Sequence, residues 1–416
     1  MGFVVGVDEF RFVIYSVRDN WRNIVMRICH IWQNFIPIEF GGVERYILSL
    51  SDFLSNQDQT MNFLMITDKA AYVPFSRAIR TSGCQRINSL EVHRLGPNPS
   101  SFLRSSSYKL LGRQSNLLDK MLIASLFREA TNIKGIEKVD VFHVHGFWQP
   151  LYPTIGLLLS QHFHRPLMIT LHGDSVNPND RFAMPVRASV TLDVLRRADV
   201  ITTYSEETLN VLRELDLGKT SRLIPNFVNT RVFKRPTLNG DSSGNRIVMV
   251  TRFSKPKDPM TPIRAFAKVI KEVPEATFTI VGYGPLYEDA NRLVQDLNLG
   301  KSIAMIGMKS DVRKFLWNND ISIGTRGSYI TTLEAWAAGL PVIAPDFGIM
   351  KEIISNGKNG LLIPPGDADQ LASAIINLMR DKDLRAMIIA NGIDAVKKHD
   401  IQKVSSSIAD IYGSLL

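Results

Sequence analysis

Short apolar runs alternate with longer amphipathic stretches from Arg27 to the end of the chain. The short runs are rich in β-branched residues and have the length of buried strands, whereas the longer stretches repeat apolar residues at helical spacing. The first predicted helix shows this spacing at Val43, Ile47, Leu50 and Leu54. The alternation predicts βα units and a parallel sheet, so the fold class is α/β.

The same alternation occurs twice along the chain. In the first half the predicted strands end at Trp32, Thr67, Gly146, Gly173 and Ser205. Residues 236–245 are polar and rich in Gly and Ser, which is typical of a linker, and a second series of strands follows them. A chain of 416 residues is long for one hydrophobic core. We therefore predict an N-terminal extension over 1–25, a first domain over 26–235, the linker over 236–245 and a second domain over 246–400.

Composition narrows the possible partners and compartment of the protein but does not identify its function. Hydrophobic residues make up 45% and charged residues 21%, and the formal charge of +9 favours an anionic partner such as nucleic acid, a nucleotide sugar or an acidic membrane. Cys29 and Cys84 lack metal-ligand spacing, so a reducing cytoplasm fits. No apolar run reaches the length of a membrane span, and residues 1–25 make a poor signal peptide because charges interrupt them.

The stretch from Arg326 to Ala344 combines a loop, a short helix and a buried strand. Thr331 and Thr332 are expected to open the helix, with Glu334 in its first turn. A helix start presents free N–H groups to an anion, and a carboxylate one turn later could accept bonds from two hydroxyls, which suits a nucleotide diphosphate sugar. The alternative is a capping box, in which Glu334 only bonds the backbone of the cap residue.

Two further segments follow predicted strands, at the edge where parallel sheets bind ligands. Gly41 and Gly42 would let the backbone approach a phosphate, or they form only a tight turn. Arg252 and Lys257 follow the first strand of the second domain. Two cations there could neutralise a diphosphate, or they are solvated loop charges.

Histidines and paired aspartates raise the question of a metal. His172 follows a strand and is expected to face the ligand edge, whereas His143 and His145 lie two apart on one strand and share a face. Because no carboxylate stands near that pair, we favour a structural role for it. Asp367 and Asp381 each begin an Asp-x-Asp run that opens a predicted helix, so we interpret them as caps. We predict no metal requirement.

Taken together, these segments resemble the family 4 glycosyltransferases, also described as glycosyl transferases group 1, which are retaining enzymes of the GT-B fold. The matching residues occur in the family's order: Gly41-Gly42 with Glu44, then His172, Arg252, Lys257 and Glu334. The resemblance implies two Rossmann-like domains facing each other across a cleft, with the C-terminal helix, residues 401–416, returning to the first domain. The family carries an earlier Glu in this motif, and at that position this chain has Arg326.

The resemblance also implies a role for each matching residue. Arg252 and Lys257 would stabilise the leaving diphosphate, His172 would border the transferred sugar and Glu334 would hold the ribose hydroxyls. The implied catalytic residues are His172, Arg252 and Lys257. The implied donor-binding residues are Gly41, Gly42, Glu44, Gly282, Gly284, Gly307, Met308, Lys309, Arg326, Thr331, Thr332 and Glu334. Arg326 cannot accept bonds from sugar hydroxyls, so it would donate to the diphosphate or to a sugar carboxylate, or swing out to solvent.

The resemblance implies a retaining glycosyltransferase that moves a hexose-type sugar from a nucleotide diphosphate sugar, with a UDP-sugar favoured, to a glycan or lipid-linked acceptor. Such a reaction belongs to cell-surface polysaccharide or glycolipid synthesis, needs no cofactor and involves no nucleic acid. The alternatives are a catalytically impaired sugar-nucleotide-binding protein and a GT-B-fold sugar-nucleotide epimerase.

Residues 77–128 carry many Lys and Arg side chains interleaved with Leu. This pattern indicates either a basic amphipathic surface for an anionic membrane or a solvated helix face. We expect a cytoplasmic protein, which under the first of these alternatives is peripheral at the cytoplasmic face of the membrane.

Overall fold

The computed structural model describes residues 26–33, 35, 41–57, 61–68, 84–96, 116–146, 151–173, 189–236 and 244–416. These residues form two compact units, one containing the chain up to Ile224 together with Ser405–Leu416 and the other containing Pro225–Val404. The predicted extension, residues 1–25, and residues 237–243 of the predicted linker lie outside the described residues. Each unit is built on its own sheet, as the repeated alternation predicted.

The described strands of the first unit form one eight-stranded sheet in the order β3-β4-β2-β1-β5-β6-β7-β8. They are β1 (Met26–Ile31), β2 (Met61–Asp68), β3 (Cys84–Ile87), β4 (Leu90–Leu95), β5 (Val141–His145), β6 (Leu167–Leu171), β7 (Val200–Thr203) and β8 (Ser221–Leu223). Neighbouring strands are parallel except β3 and β4. Every residue of β5 and β6 is buried, as expected for parallel strands covered on both faces. The strand order reverses between β1 and β5, which is where open α/β sheets bind ligands.

The helices of the first unit connect these strands. They are α1 (Gly42–Gln57), α2 (Asn116–Thr131), α3 (Leu151–Phe163), α4 (Ser189–Arg196) and α5 (Glu206–Glu214). The predicted apolar face of α1 is confirmed, because Ile47, Leu50 and Leu54 are all buried. At the start of α5, the side chain of Ser205 accepts a bond from the backbone N–H of Thr208, which caps the helix.

The basic stretch at residues 77–128 is not one amphipathic element. Its described parts contain the antiparallel hairpin β3–β4 and most of α2, and residues 77–83 and 97–115 lie outside the described residues. Arg94 is 2% exposed, so its charge is not on the surface. Among the described residues no helix is both long and apolar enough to cross a membrane.

The described strands of the second unit form a six-stranded parallel sheet in the order β11-β10-β9-β12-β13-β14. They are β9 (Arg246–Val250), β10 (Thr277–Val281), β11 (Ile303–Gly307), β12 (Ile321–Ile323), β13 (Val342–Pro345) and β14 (Leu361–Ile363). The order reverses between β9 and β12, so the loops after these two strands meet at the ligand-binding edge of this sheet.

The helices of the second unit cover its sheet. They are α6 (Thr230–Phe233), α7 (Met260–Glu272), α8 (Tyr287–Asp296), α9 (Arg313–Trp317), α10 (Tyr329–Ala337), α11 (Ile349–Ile353), α12 (Ala368–Arg380) and α13 (Lys382–Val396). The interpretation of the two Asp-x-Asp runs as caps is confirmed. The Asp367 side chain accepts from the N–H of Gln370 to begin α12, and that of Asp381 accepts from Leu384 to begin α13.

The last helix, α14 (Ile401–Ser414), passes from the second unit into the first. The backbone N–H of Ile401 donates to Val228 of the second unit. Eleven residues later Tyr412 is fully buried in the first unit, and a 2.7 Å hydrogen bond joins its hydroxyl to Nδ1 of His143. The predicted return of the C-terminal helix to the first domain is therefore confirmed.

Candidate active site

The loops after β9 and β12 meet as the reversal of strand order requires. Lys257 ends a single 3-10 turn, Lys255–Lys257, and its ammonium donates to the carbonyl oxygens of Arg326 (2.6 Å) and Gly327 (3.1 Å). A 3.0 Å bond between the hydroxyls of Thr251 and Thr325 joins the same two loops. Two segments that the sequence analysis selected separately, around Lys257 and around Arg326, are thus in contact. Arg252 is exposed on the first of these loops.

The Arg326 guanidinium stacks on an aromatic ring. Its central carbon lies 4.0 Å from the centroid of the Phe347 ring, and the residue is half-buried. A cation over a ring face at this distance gains about 0.5–1 kcal/mol at an exposed site and more when desolvated. The structure therefore does not show the alternative in which this side chain swings out into solvent, and the Phe347 ring is a partner that the sequence did not reveal.

The helix that carries Glu334 begins earlier than predicted. α10 starts at Tyr329 with Ser328 as its cap residue, and the Thr331 hydroxyl donates to the Ser328 carbonyl from inside the first turn. The prediction that Thr331 and Thr332 open the helix is wrong. The capping-box interpretation is wrong with it, because that motif requires the Glu three residues after the cap. Glu334 instead lies in the second turn, where it is 3% exposed.

Two glycines press the loop after β10 against the loop that carries Arg252. A Cβ added to Gly282 would lie 1.8 Å from the carbonyl oxygen of Thr251, and one added to Gly284 would lie 2.5 Å from that of Phe253. Real Cβ atoms do not approach backbone this closely, so only glycine permits this packing. The structure therefore gives Gly282 and Gly284 a reason to be glycine that involves no ligand, and their predicted contact with the donor stays a prediction.

The segment after β11 lies at the same edge of the sheet. Gly307 has φ of 78°, and its carbonyl oxygen accepts a 2.8 Å bond from the N–H of Gly282. Met308 is 58% exposed and Tyr283, after β10, is 55% exposed, while Lys309 is half-buried. Two large exposed side chains at this edge suit a flat ligand such as a nucleobase, but their role stays a prediction.

In the first unit the Glu44 carboxylate organises the turn before α1. Its Oε1 accepts from the indole N–H of Trp32 (2.6 Å) and its Oε2 from the backbone N–H of Gly41 (2.7 Å). A Cβ on Gly41 would lie 2.8 Å from that Oε2. Glu44 is 3% exposed and Gly42 begins the helix. This geometry holds the Gly41-Gly42 backbone in place, and the predicted donor contact of these three residues stays a prediction.

His172 follows β6 and is half-buried. Its Nε2 shares a 3.0 Å hydrogen bond with Nδ1 of His145, and its carbonyl oxygen accepts from the hydroxyl of Tyr204 (3.0 Å). Nε2 of His145 in turn lies 2.9 Å from Nδ1 of His30, which the sequence analysis did not select. Burial lowers the pKa of His172 and of His30 to about 3, so these imidazoles are neutral at pH 7.

Comparisons with known proteins agree with this geometry. Residues 231–395 match the family profile described as glycosyl transferases group 1, and residues 40–232 match the profile described as Glycosyltransferase Family 4. The phosphatidyl-myo-inositol mannosyltransferase of Mycolicibacterium smegmatis is 27% identical over 291 residues, which are 66% of this chain and 70% of that protein. The N-acetyl-alpha-D-glucosaminyl L-malate synthase of Bacillus anthracis is 27% identical over 67% of this chain and 76% of that protein.

Solved structures share the fold over 94% of this chain. Anabaena HepE in complex with UDP-glucose superposes with a TM-score of 0.68 at 18% identity, covering 94% of this chain and 100% of that one. The sucrose-phosphate synthase of Thermosynechococcus elongatus superposes with a TM-score of 0.71 at 22% identity, covering 94% and 99%. The fold and the family profiles define a glycosyltransferase of the GT-B class that uses nucleotide sugars. Within that class, the chain belongs to glycosyltransferase family 4, described also as glycosyl transferases group 1.

Proposed function

We propose that the protein moves a hexose-type sugar from a nucleotide diphosphate sugar, with a UDP-sugar favoured, to a glycan or lipid-linked acceptor, and that the anomeric configuration of the sugar is retained. The observation that carries this proposal is the bond from the Lys257 ammonium to the loop leading into α10. This bond holds the Lys257 ammonium, which comes from the loop after β9, beside the N-terminus of α10, the helix that follows β12. Such a helix end with a cation beside it is a site for a diphosphate.

The proposed chemistry uses these groups as the sugar leaves the diphosphate. The bond between the anomeric carbon and the phosphate oxygen breaks, and Arg252, Lys257 and the N–H groups at the start of α10 stabilise the negative charge that develops on that oxygen. The acceptor hydroxyl attacks the anomeric carbon from the face that the diphosphate leaves, and its proton passes to the phosphate oxygen that is released, so the configuration is kept. Glu334, one turn into α10, would accept bonds from the ribose hydroxyls.

The names of similar proteins support the choice of donor and acceptor. HepE was crystallised with UDP and with UDP-glucose, and the mycobacterial relative is named as a mannosyltransferase of phosphatidyl-myo-inositol. The relative from Bacillus subtilis is named as an alpha-glucosyltransferase of poly(glycerol phosphate). A hexose donor and an acceptor that is a lipid or a polymer are therefore the first combination to test.

A donor panel tests the proposal. The purified full chain would be incubated with UDP-glucose, UDP-galactose, UDP-N-acetylglucosamine, UDP-glucuronic acid and GDP-mannose, with and without lipid and oligosaccharide acceptors. Release of nucleoside diphosphate would be measured, and the anomeric configuration of the product would be read from its proton NMR couplings. We expect release that depends on acceptor and an α-linked product, since all of these donors are α-linked.

The other outcomes separate the alternatives. A β-linked product from an α-linked donor would refute retention. Conversion of the donor into its epimer without an acceptor would favour the epimerase. Donor binding by calorimetry without turnover on any acceptor would favour a sugar-nucleotide-binding protein, and Arg326→Glu would then be tested for restored turnover because Arg326 replaces the family's Glu.

A further inference from the structure

Histidines converge at the point where the strand order of the first sheet reverses. His30 on β1 and His143 on β5 are direct neighbours across the two strands. His145 lies two residues further along β5 and on the same face, and His172 follows β6, the next strand. The side chains of His30 and His143 are fully buried, and that of His145 is 1% exposed.

Three of these imidazoles form a continuous hydrogen-bonded chain. Nδ1 of His30 bonds Nε2 of His145 at 2.9 Å, and Nδ1 of His145 bonds Nε2 of His172 at 3.0 Å. A neutral imidazole has one N–H and one bare nitrogen, so each bond needs a donor on one side and an acceptor on the other. Once the protonated nitrogen of one ring is known, the protonated nitrogens of the other two rings are fixed. Burial lowers the pKa of all three rings, which keeps them neutral at pH 7.

Only two proton arrangements satisfy both bonds. In the first, His30 donates from Nδ1, His145 donates from Nδ1 and His172 accepts at Nε2, so the proton of His172 is on Nδ1. In the second, every proton is on Nε2, so His172 donates from Nε2 and its Nδ1 is bare. The two arrangements give His172 opposite chemistry, because Nδ1 is a donor in the first and an acceptor in the second.

The inner end of the chain decides between them. Nε2 of His30 is buried and has no hydrogen-bond partner among the described residues. The ring of His30 stacks on Phe63, with centroids 5.4 Å apart and planes 7° apart. The first arrangement leaves a bare lone pair at this nitrogen, whereas the second buries an N–H group with no acceptor. A buried donor without an acceptor is the rarer of the two in folded proteins, so the first arrangement is favoured.

We propose that His145 and His30 are positioning residues that hold His172 in its neutral Nδ1–H tautomer, so that His172 offers a hydrogen-bond donor, and not a base, to an oxygen atom of the substrate. The proposal rests on the proposed function only in placing His172 beside the reacting sugar. Nδ1 of His172 has no bonding partner among the described residues, which leaves this atom available for that contact.

The remaining contacts hold the chain in one orientation. The Tyr46 ring of α1 packs edge-on against His172, with centroids 4.9 Å apart, and also against His145. His143 is outside the chain: its Nδ1 bonds the Tyr412 hydroxyl and its Nε2 bonds that of Thr170, each at 2.7 Å. The nitrogens of His30, His143 and His145 lie close enough together to hold a metal ion. Metal binding would have to break these hydrogen bonds, so the hydrogen-bonded arrangement accounts better for the geometry.

Nitrogen NMR of the full chain labelled with ¹⁵N-histidine tests the tautomer without any substrate. Protonated and bare imidazole nitrogens have well-separated shifts, and His172→Gln assigns the His172 signals by their loss. We expect Nδ1 of His172 to be protonated and Nε2 to be bare from pH 6 to pH 8, and the spectrum to be unchanged by a chelator. A proton on Nε2, a charged ring at pH 7, or a spectrum that changes on metal removal would each overturn the proposal.

The matched variants are His145→Leu and His143→Leu, which remove equally buried histidines from the same strand. In His145→Leu we expect His172 to lose its fixed tautomer and to show the mixture of a free histidine, whereas in His143→Leu it should keep Nδ1–H. With a donor that the wild type turns over, kcat should fall at least tenfold more in His145→Leu than in His143→Leu. An unchanged His172 spectrum in His145→Leu would overturn the proposal.

The two proposals fail separately. If the wild type turns over no sugar donor, the ¹⁵N spectrum still tests the tautomer of His172. If His145→Leu does not fold, the wild-type spectrum alone decides in which direction the hydrogen bonds between the three histidines run. If His172 shows Nδ1–H but the two variants lose kcat equally, the three hydrogen-bonded histidines have a structural role, and the positioning role is overturned.

Discussion

Lys257 is the residue whose removal gives the sharpest prediction, because its two bonds allow stability and turnover to be separated. Lys257→Met keeps most of the side-chain volume but removes the ammonium that donates to the carbonyl oxygens of Arg326 and Gly327. Losing bonds from a charged donor costs about 1.5–3 kcal/mol of the free energy of unfolding. Removing a group that stabilises developing negative charge lowers kcat by about 10²–10³-fold, or roughly 2.7–4 kcal/mol.

These magnitudes decide which effect an activity assay would report. A domain with about 5 kcal/mol of stability, the low end of the usual range, would keep about 2 kcal/mol after the largest expected loss and would remain roughly 97% folded. Unfolding therefore cannot lower turnover by more than a few per cent. A hundredfold loss of kcat would come from the missing charge.

The measurement pairs urea unfolding with the rate of nucleoside diphosphate release, using a donor that the wild type turns over. Lys271→Met is the matched control, because Lys271 is exposed in the last turn of α7, which returns toward the opposite edge of the sheet. We expect Lys271→Met to retain wild-type kcat. The reasoning is refuted if Lys257→Met loses less than tenfold in kcat, or if the control loses as much.

Four further predictions concern Glu334, Arg326, His30 and the basic residues of α2. Glu334→Gln should weaken donor binding by about 1–3 kcal/mol in calorimetry, because a carboxylate buried in the second turn of α10 would lose its charged bonds to hydroxyls. Arg326→Glu should weaken binding of the true donor at least tenfold in the same assay, since a carboxylate there repels phosphate. Lowering the pH from 7.5 to 5 should lower the free energy of unfolding by about 2 kcal/mol through His30 alone, because its folded pKa of about 3 lies below the ordinary 6.5 and only the unfolded chain takes up the proton. In sedimentation assays the protein should bind acidic vesicles more than neutral ones, and reversing the exposed Lys120 and Arg128 to Glu should reduce that binding.

Each of these predictions has an outcome that contradicts it. Unchanged donor affinity in Glu334→Gln would remove the ribose contact, and higher turnover of neutral hexose donors in Arg326→Glu would show that the arginine hinders the site. The stability that neutral His30 contributes is complete above pH 6.5 and declines as the pH falls, so equal acid sensitivity in His30→Leu would contradict that assignment. Equal binding to neutral and acidic vesicles would exclude the electrostatic membrane contact.

The sheets and the segments of the site could be predicted because buried parallel strands leave uninterrupted apolar runs in the sequence. Polar residues at the ends of those runs, such as His172 and Arg252, were therefore found. The hairpin β3–β4 was missed because its charged residues conceal the alternation of apolar and polar positions that is typical of a strand. Gln85 and Arg94, for example, are polar but buried. The start of α10 was misplaced because Ser328, Thr331 and Thr332 are all good cap residues, and local propensity cannot choose among them.

Contacts between segments far apart in sequence could not be predicted from local pattern. Phe347 beneath Arg326 depends on β12 and β13 lying side by side in the sheet. Trp32 beside Glu44 depends on how α1 packs against the end of β1. The histidine chain is a partial exception. His30, His145 and His172 each stand at or near the end of a predicted strand, and they come together because β1, β5 and β6 lie side by side.

The bond between Tyr412 and His143 has a consequence for how the protein is made. The ribosome synthesises a chain from its N-terminus, and domains generally fold as they emerge. The first unit, however, takes its last helix from beyond the whole second unit. Until residue 412 has left the ribosome, Nδ1 of His143 lacks the hydroxyl that it bonds in the finished protein. The first unit therefore remains incomplete while the second unit is translated. In a nascent chain stalled between 225 and 404, the place where Tyr412 will later be buried should be open to proteases and to chaperones.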